Sequence, residues 1–277
     1  MNMKKIFYLT LGATLLFLAS CHKVDNWDEP GSRLYGNVID SYTGTNLVMD
    51  NNDWQIRIWD KTWEVMNPGA VAQYQSLAVM RDGVYNDTKL FAGTYNMLPY
   101  DGAFWPADTV KGVVLGKETQ QDFTVIPYLQ IVNATATLGG TLAAPTLTFT
   151  CNLKAPLLQK LVNQVMTALP NLYYVRPFLS LTTFCGNSNY ISIPEYTNVR
   201  STSIPAGPVI NINRSWAAEL AAQVPPLTGD LSPTYTMVVP VKPGYSYYVR
   251  IAANVNALSR RYNYSPIVKI DVPSAKK

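Results

Sequence analysis

Histidine is almost absent from this 277-residue chain, which contains one histidine, His22, and three cysteines. Serine and cysteine hydrolases need a positioned imidazole in the folded body, and zinc sites usually draw on several His or Cys side chains. A single histidine close to the N-terminus supplies neither arrangement. The composition therefore excludes the common nucleophilic and zinc-dependent enzyme classes, and we expect no metal site and no cofactor.

Charged residues are also scarce. Asp, Glu, Lys and Arg make up 14% of the chain, the formal net charge is +4, and no block of Lys or Arg is longer than two residues. Proteins that bind nucleic acid usually carry a basic patch or stripe, so nucleic acid is not an expected partner. Tyr, Thr, Val, Asn, Pro and Gly are plentiful instead, which favours strands and turns over helices.

The N-terminal segment has the pattern of an export signal. Two lysines precede an apolar run, residues 6–17, that is too short to span a bilayer. The ending Leu-Ala-Ser-Cys at residues 18–21 resembles the bacterial lipobox, in which the cysteine is acylated and becomes the new N-terminus. This resemblance implies a signal peptide over residues 1–20 and a lipid anchor on Cys21, which would hold the mature protein on a membrane.

A polar tether follows the anchor over residues 21–32, with acids at Asp25, Asp28 and Glu29. Such a segment lets a domain stand away from the membrane. In Bacteroidota, an acidic segment behind the lipidated cysteine resembles the signal that directs lipoproteins to the outer leaflet of the outer membrane. The resemblance implies a lipid-anchored outer-membrane protein that faces the cell exterior.

Short strand patterns fill the region after the tether. One of them alternates, so that Trp54, Ile56 and Ile58 point to the core while the residues between them point to solvent or a partner (Gln55, Arg57 and Trp59). Six or seven such runs, separated by turns, predict a β-sandwich over residues 33–128.

A second series of strand patterns predicts another β-sandwich over residues 129–273. Cys151 and Cys185 each end a strand-like run; an oxidising compartment permits a disulfide between them, and two separate buried thiols are the alternative. Residues 155–169 have apolar side chains at helical spacing, and residues 215–224 begin at a possible N-cap, Ser215. The expected fold is all-β, with two tandem β-sandwiches and one or two short helical insertions in the second.

Several motifs resemble known families. Residues 36–40 (Gly-Asn-Val-Ile-Asp), 43–47 (Thr-Gly-Thr-Asn-Leu) and 91–95 (Phe-Ala-Gly-Thr-Tyr) are similar to the transthyretin-like or carboxypeptidase-regulatory-like sandwich, which carries no peptidase chemistry. Residues 245–253 and 262–266 resemble the last hairpin of a fibronectin type III or immunoglobulin-like sandwich. Together with the lipobox, these motifs resemble a two-domain lipoprotein family of Bacteroidota, of unknown function, that occurs in polysaccharide-utilisation loci.

This resemblance implies a non-catalytic accessory of a polysaccharide uptake system, similar in role to SusE and SusF. Such a protein binds a polysaccharide or oligosaccharide beside SusC- and SusD-like transporter proteins. Binding of this kind uses aromatic side chains, because the C–H faces of sugar rings stack on indole and phenol rings. The candidates for a glycan-binding surface are Trp59, Trp63, Tyr100, Asp101 and Trp105, and burial in the core is the alternative for each aromatic residue.

Two other functions remain open. A structural adhesin or assembly module would use the same sandwiches for protein contacts, through exposed sheet edges or an apolar patch. A glycoside hydrolase would need a facing pair of carboxylates, for which Asp101, Asp108 and Glu118 are the candidates. The run Asp-Asn-Asn-Asp at residues 50–53 offers oxygen ligands for calcium, but it lacks the spacing of a known calcium loop and is expected to be a polar turn.

Overall fold

The computed structural model describes residues 29–51, 53–191 and 209–274. The predicted signal peptide, the lipidation site Cys21, most of the tether and Asn52 lie outside the described residues. In the part of the chain that is described, no helix is long and apolar enough to cross a membrane. The described residues form an all-β fold with two short helices, which confirms the predicted fold class.

The N-terminal unit spans residues 32–125. In chain order it contains β1 (Ser32–Asp40), β2 (Gln55–Asp60), α1 (Lys61–Met66), β3 (Gln75–Ala78), β4 (Val84–Leu90), β5 (Gly93–Tyr100), β6 (Val110–Leu115), β7 (Glu118–Gln120) and β8 (Phe123–Val125). One sheet has the order β4-β1-β7, with β8 also paired to β1, and the other has the order β3-β2-β5-β6. Their shared core includes Trp54, Ile56 and Ile58, so the predicted inward set of β2 is confirmed.

A glycine is required in the middle of β1. This strand is antiparallel to β4 and parallel to β7 and β8, and the connection from β7 to β8 crosses close to it. A Cβ on Gly36 would lie 2.1 Å from the carbonyl oxygen of Gln121, so no larger residue fits without moving that backbone. The close approach explains why the motif at residues 36–40 begins with glycine.

The C-terminal unit spans residues 130–271. In chain order it contains β9 (Gln130–Gly140), β10 (Pro145–Lys154), β11 (Gln159–Val162), β12 (Val165–Ala168), β13 (Leu172–Ser180), β14 (Ile210–Arg214), α2 (Trp216–Ala221), β15 (Tyr235–Pro240), β16 (Ser246–Val255), β17 (Tyr262–Tyr264) and β18 (Val268–Asp271). One sheet has the order β15-β10-β9, and the other has the order β14-β13-β16-β17, with β18 also paired to β16. Apolar side chains of β10 and β16, among them Phe149 and Ile251, fill the space between these sheets.

The prediction of a helix over residues 155–169 is wrong. These residues contain a β-hairpin in which β11 pairs antiparallel with β12. The turn residues Asn163 and Gln164 have φ values of 49° and 65°, and a two-residue type I′ turn requires positive φ at both positions. Leu161 and Met166 lie opposite each other across the hairpin with exposed side chains. Apolar spacing over so short a segment does not distinguish a helix from a hairpin, whereas the turn does.

The second predicted helix is present and is shorter than expected. α2 follows Ser215, whose hydroxyl accepts a hydrogen bond from the N–H of Ala218 at 3.3 Å, as an N-cap does. The helix α1 was not predicted. The carboxylate of Asp60 accepts a hydrogen bond from the N–H of Trp63 at 3.0 Å, so β2 passes directly into a capped helix.

A loop of the N-terminal unit enters the C-terminal unit. This linking loop, residues 101–109 between β5 and β6, carries Trp105, which is 1% exposed and packs in the core of the C-terminal unit with its ring 5.4 Å from that of Tyr128. The side chain of Asn263 holds the loop in place. Its Nδ2 donates to the carbonyl of Ala103 at 2.9 Å, and its Oδ1 accepts from the N–H of Leu129 at 3.1 Å. The linking loop therefore fixes one sandwich to the other.

Replacing Trp105 with alanine should lower the free energy of unfolding by about 3–5 kcal/mol, because removal of a large buried ring leaves a cavity. Urea denaturation followed by circular dichroism measures the change. The matched control is Trp63→Ala, which removes an exposed tryptophan from the same unit and should cost less than about 1 kcal/mol. Equal losses for the two variants would contradict the anchoring role of Trp105.

Candidate ligand-binding face

Aromatic side chains gather on the outward side of the sheet β3-β2-β5-β6. Because side chains alternate along a strand, the burial of the two isoleucines of β2 turns Arg57 and Trp59 outward. Tyr100 ends β5 and lies opposite Gln55, and Tyr74 immediately precedes β3. We call Arg57, Trp59, Tyr74 and Tyr100 the aromatic face.

Ring and cation contacts hold the aromatic face together. The guanidinium carbon of Arg57 lies 3.4 Å from the ring centroid of Tyr100 and 4.1 Å from that of Tyr74. Since β2 lies between β3 and β5, the cation sits between the two phenol rings. The ring of Trp59 meets that of Tyr74 edge-on, with centroids 6.1 Å apart. Tyr74 is 46% exposed and Tyr100 is 37% exposed, so a ligand can reach both rings.

A polar pocket of about 250 Å³ adjoins the Tyr100 end of the aromatic face. Gln55 and Ser76 of the sheet supply its polar lining together with Asp101 and Arg261, and the rest of the lining is apolar (Trp54, Leu77 and Ala78). Arg261 belongs to the C-terminal unit, and its Nη2 donates a hydrogen bond to the carboxylate of Asp101 at 3.1 Å. The pocket therefore sets amide, hydroxyl, carboxylate and guanidinium groups beside the aromatic rings.

The structure divides the five residues predicted for glycan binding among four places. Trp59 and Tyr100 lie on the aromatic face, and Asp101 lies in the adjoining pocket. Trp63, on α1, lines a separate cleft of about 770 Å³. The prediction that Trp105 is exposed for stacking is wrong, because the apolar core of the C-terminal unit takes up its ring.

Two members of the aromatic face were not predicted. The alternation in β2 placed Arg57 on the same side as Trp59, but it gave no sign of the two rings against the guanidinium. Tyr74 precedes a four-residue strand with little pattern of its own. The position of Tyr74 follows from the pairing of β3 with β2. Because Ser76 lies opposite Arg57, Tyr74 lies beside Trp59, two residues further along β2.

The acids considered for cleavage of a glycosidic bond are spread over different surfaces. The carboxylate of Asp101 is paired with Arg261, whereas Glu118 lies in β7, in the other sheet, and pairs with Arg33 at 3.4 Å. Asp108 is an exposed residue of the linking loop. Asp101 and Glu118 therefore do not face each other across one cleft, which is the arrangement that glycoside hydrolysis needs.

Asp50 and Asp53, the two acids of the run predicted as a polar turn, are buried between the two units. Asp50 accepts hydrogen bonds from the N–H and the hydroxyl of Ser188 at 2.6 and 2.8 Å, and its carboxylate lies 3.4 Å from Arg250. Asp53 lies 3.8 Å from Arg261. Within the described ranges, no group of three or more His, Cys, Asp or Glu side chains could hold a metal ion. The run supplies counter-ions for two arginines of the C-terminal unit.

Burial changes the ionisation of this charge cluster. Desolvation, and next the charge of Asp50, raise the pKa of Asp53 from 3.8 to about 6. Desolvation lowers the pKa of Arg250, whose enclosed guanidinium lies 3.7 Å from the ring centroid of Tyr264. Gly186 makes room for these groups, since a Cβ there would lie 2.1 Å from Arg250 Nη2 and 2.6 Å from the carboxylate of Asp50.

Cys151 and Cys185 do not form the disulfide that was considered from the sequence. Both are free thiols and they lie in different clusters, Cys151 in the main core of the C-terminal unit and Cys185 beside Phe178 and Tyr264. Burial raises the pKa of each thiol to about 12, so neither is a thiolate near neutral pH. The structure has the alternative arrangement, two separate buried thiols.

Comparison with known proteins finds one family that the N-terminal unit resembles. Residues 32–126 match the profile of a family described as protein of unknown function (DUF3823), N-terminal domain. Residues 32–126 are therefore similar to the N-terminal domain of that family. No curated protein matches the chain at a significant level.

Solved structures of proteins from Bacteroides and Parabacteroides share this fold. A "putative carbohydrate binding protein" of Bacteroides uniformis ATCC 8492 is 22% identical with a TM-score of 0.61, over 88% of this chain and 100% of its own. A DUF3823 family protein of the same strain is 18% identical with a TM-score of 0.63, over the same shares of the two chains. A DUF3823 family protein of Parabacteroides merdae ATCC 43184 is 17% identical with a TM-score of 0.54, again over 88% and 100%. Similarity at this level establishes a common fold.

The ionisation of Asp53 should destabilise the folded chain as the pH rises. Because the folded-state pKa is about 6 and the ordinary value is 3.8, the folded state binds the proton more tightly, and this advantage is lost between about pH 4 and pH 7. The loss of folding free energy from this one group is at most about 3 kcal/mol. We therefore expect Asp53→Asn to raise the free energy of unfolding most near pH 8 and little near pH 4, as measured by urea denaturation.

The control for this pH effect is Asp108→Asn, which changes an exposed carboxylate of the linking loop. Its effect on the free energy of unfolding should be small at both pH values. A gain from Asp53→Asn that is the same at both pH values would contradict the assigned cause, because an uncharged packing effect does not depend on pH.

Proposed function

We propose that this protein is a non-catalytic lipoprotein that binds glycan on its aromatic face, as an accessory of a polysaccharide uptake system. The observation that carries the proposal is a row of rings on one sheet face, the exposed Tyr74 and Tyr100 and the half-buried Trp59, with a polar pocket at its end. The structural relative from Bacteroides uniformis that bears a carbohydrate-binding name, with which this chain shares a fold, supports the same reading.

The aromatic face offers the two kinds of contact that a sugar chain uses. The C–H faces of successive sugar rings can stack on the side chains of Trp59, Tyr74 and Tyr100. The contact between Trp59 and Tyr74, and the contacts of Arg57 with Tyr74 and Tyr100, hold these three side chains in one row. Hydroxyl groups at the end of the row can exchange hydrogen bonds with the groups that line the polar pocket. Asp101 accepts a hydrogen bond from Arg261 there, which fixes the position of its carboxylate in the pocket.

The cellular placement belongs to the same proposal. Acylation of Cys21 would anchor the two sandwiches to the outer membrane, facing the cell exterior, and the tether of residues 21–32 would let the aromatic face reach glycan beside SusC- and SusD-like transporter proteins. The lipobox-like ending of residues 18–21 supports this placement, as does the occurrence of proteins with the same fold in Bacteroides and Parabacteroides.

An assembly role through protein contacts is the second candidate, and the hairpin β11-β12 favours it. Leu161 is 60% exposed, Val165 is 64% exposed and Met166 is 59% exposed, so the hairpin presents an apolar patch. Within the described residues, β11 and β12 pair only with each other, which leaves both outer edges available to another strand. A partner protein could bind along such an edge.

Glycan binding should depend on the aromatic face and not on the cleft beside α1. We expect affinity electrophoresis against a panel of soluble polysaccharides to show retardation by one or more polymers. Trp59→Ala and Tyr100→Ala should each weaken binding by about 1 kcal/mol, roughly fivefold in affinity, because each removes a stacking surface. Trp63→Ala is the control, since it removes a tryptophan from the separate cleft. Absence of retardation by any polymer would favour the assembly role of the hairpin.

Acylation of Cys21 predicts how the full-length protein partitions in cells. The parent chain should incorporate radiolabelled palmitate and sediment with the outer membrane, because two or more acyl chains anchor a protein stably. Cys21→Ser should lose both the label and the membrane association. Serine replacement of the buried Cys151 controls for general effects of cysteine loss and should leave both unchanged. Membrane association without label would contradict the lipid anchor.

A further inference from the structure

We propose that the ligand of the aromatic face is an acidic glycan, and that Arg57 binds its carboxylate or sulfate groups. This inference rests on the proposed function and adds the chemical class of the ligand. It follows from the state of the Arg57 guanidinium, from the charges around it, and from the position of Arg57 in the middle of the row of rings.

Arg57 is a cation that has no counter-ion in the part of the chain that the structure describes. Among the described residues it makes no ion pair and no side-chain hydrogen bond, whereas Arg33, Arg250 and Arg261 each pair with a carboxylate. The Nε of Arg57 is buried and has no hydrogen-bond partner. The two terminal nitrogens of the guanidinium are not buried. These terminal N–H groups are therefore the part of the guanidinium that remains open to a ligand.

The protein surrounds Arg57 with uncharged groups. On the neighbouring strands the residues opposite it are Leu98 and Ser76, and the rings of Tyr74 and Tyr100 cover the guanidinium from its two sides. Phenol faces attract a cation but they do not neutralise it. A partly desolvated charge with no opposite charge is costly, so an anion that binds there recovers a free energy that a neutral ligand does not.

The acids that lie closest to the aromatic face along the chain are committed elsewhere. Asp60 follows Trp59, and its carboxylate caps α1 by accepting the N–H of Trp63 at 3.0 Å. Asp101 follows Tyr100, and Arg261 binds its carboxylate at 3.1 Å. Neither acid forms an ion pair with Arg57. Arg57 therefore keeps an uncompensated positive charge on a face whose rings are available for stacking.

The geometry suits one recognition mode. Guanidinium groups bind carboxylate and sulfate oxygens through pairs of parallel N–H donors, and the rings on either side of Arg57 fix the plane of the guanidinium. A sugar stacked on Tyr74 or Tyr100 would bring a substituent of its ring to Arg57. Uronic acids and sulfated sugars carry such substituents, whereas neutral sugars offer hydroxyl groups alone.

The test uses matched polymers that differ in charge. The probes are polygalacturonate with its methyl ester, and carrageenan with its desulfated form, added to the neutral polysaccharides of the affinity-electrophoresis panel. The parent protein should prefer the charged member of one or both pairs. The two pairs distinguish a carboxylate ligand from a sulfate ligand. Raising the salt concentration should weaken that binding, because salt screens charge attraction.

Variants of Arg57 separate recognition of charge from support of the rings. Arg57→Gln should weaken binding of the charged polymer about tenfold or more and abolish its salt dependence. Arg57→Lys, which keeps the charge and loses the planar fork, should restore only part of the affinity. The matched control is Arg33→Gln, since Arg33 also lies over a tyrosine ring, Tyr35 at 4.5 Å, but is paired with Glu118. This control should behave like the parent.

The outcomes distinguish this inference from the function on which it rests. Binding of neutral polymers only, or equal weakening of charged and neutral binding by Arg57→Gln, would overturn the acidic ligand and leave glycan binding in place. Failure of every polymer in the panel to bind would overturn the proposed function and the inference together. Near-ultraviolet circular dichroism of Arg57→Gln that matches the parent would exclude collapse of the face as the cause of a loss.

Discussion

The burial of Trp105 in the C-terminal sandwich is the constraint on which the candidate site depends. The linking loop begins at Asp101, the residue after Tyr100, so the anchored ring fixes the end of the aromatic face. It also fixes Asp101 beside Arg261, which belongs to the other unit. The polar pocket therefore has its guanidinium group only when the two sandwiches are docked. The cost of removing a large aromatic ring from a packed core keeps them docked.

Charge specifies how the two sandwiches meet. Arg250 of the C-terminal unit is enclosed against Asp50 of the N-terminal unit. Only a glycine fits beside them at position 186, because a Cβ there would clash with both side chains. Buried ion pairs add little net stability, because the loss of hydration offsets the attraction, yet an uncompensated buried charge costs about 3–5 kcal/mol. A docking that separated Arg250 from Asp50 and kept either of them buried would leave such a charge. The ion pair thus selects one arrangement that the apolar contacts stabilise.

One strand accounts for both the core and the candidate site. In β2 the alternation of side chains places Ile56 and Ile58 in the core and Arg57 and Trp59 on the opposite surface. A shift of one residue in the register of β2 would exchange the two sets. The hydrophobic core therefore determines which side chains are available to a ligand. Neighbouring strands then supply the rings that complete the face, Tyr74 from the β3 side and Tyr100 from the β5 side.

The sequence by itself determined what depends on near neighbours in the chain. The alternating strand patterns and the abundance of Tyr, Thr and Val identified an all-β fold and placed Trp54 inward and Trp59 outward, and Ser215 marked the start of α2. The hairpin of residues 155–169 was missed because its apolar spacing fits a helix equally well, and the positive φ angles of Asn163 and Gln164 became known only with the backbone.

The tertiary structure alone decided what depends on contacts between distant segments. Trp105 looks like an exposed loop residue until the second sandwich surrounds it, and Asp50 and Asp53 look like a solvated turn until Arg250 and Arg261 meet them. Arg57 became a candidate ligand group only when Tyr74 and Tyr100 flanked it and no carboxylate of residues 29–51, 53–191 and 209–274 paired with it. Local periodicity reports which side of a strand faces inward, but it carries no information about which remote residues pack against that side.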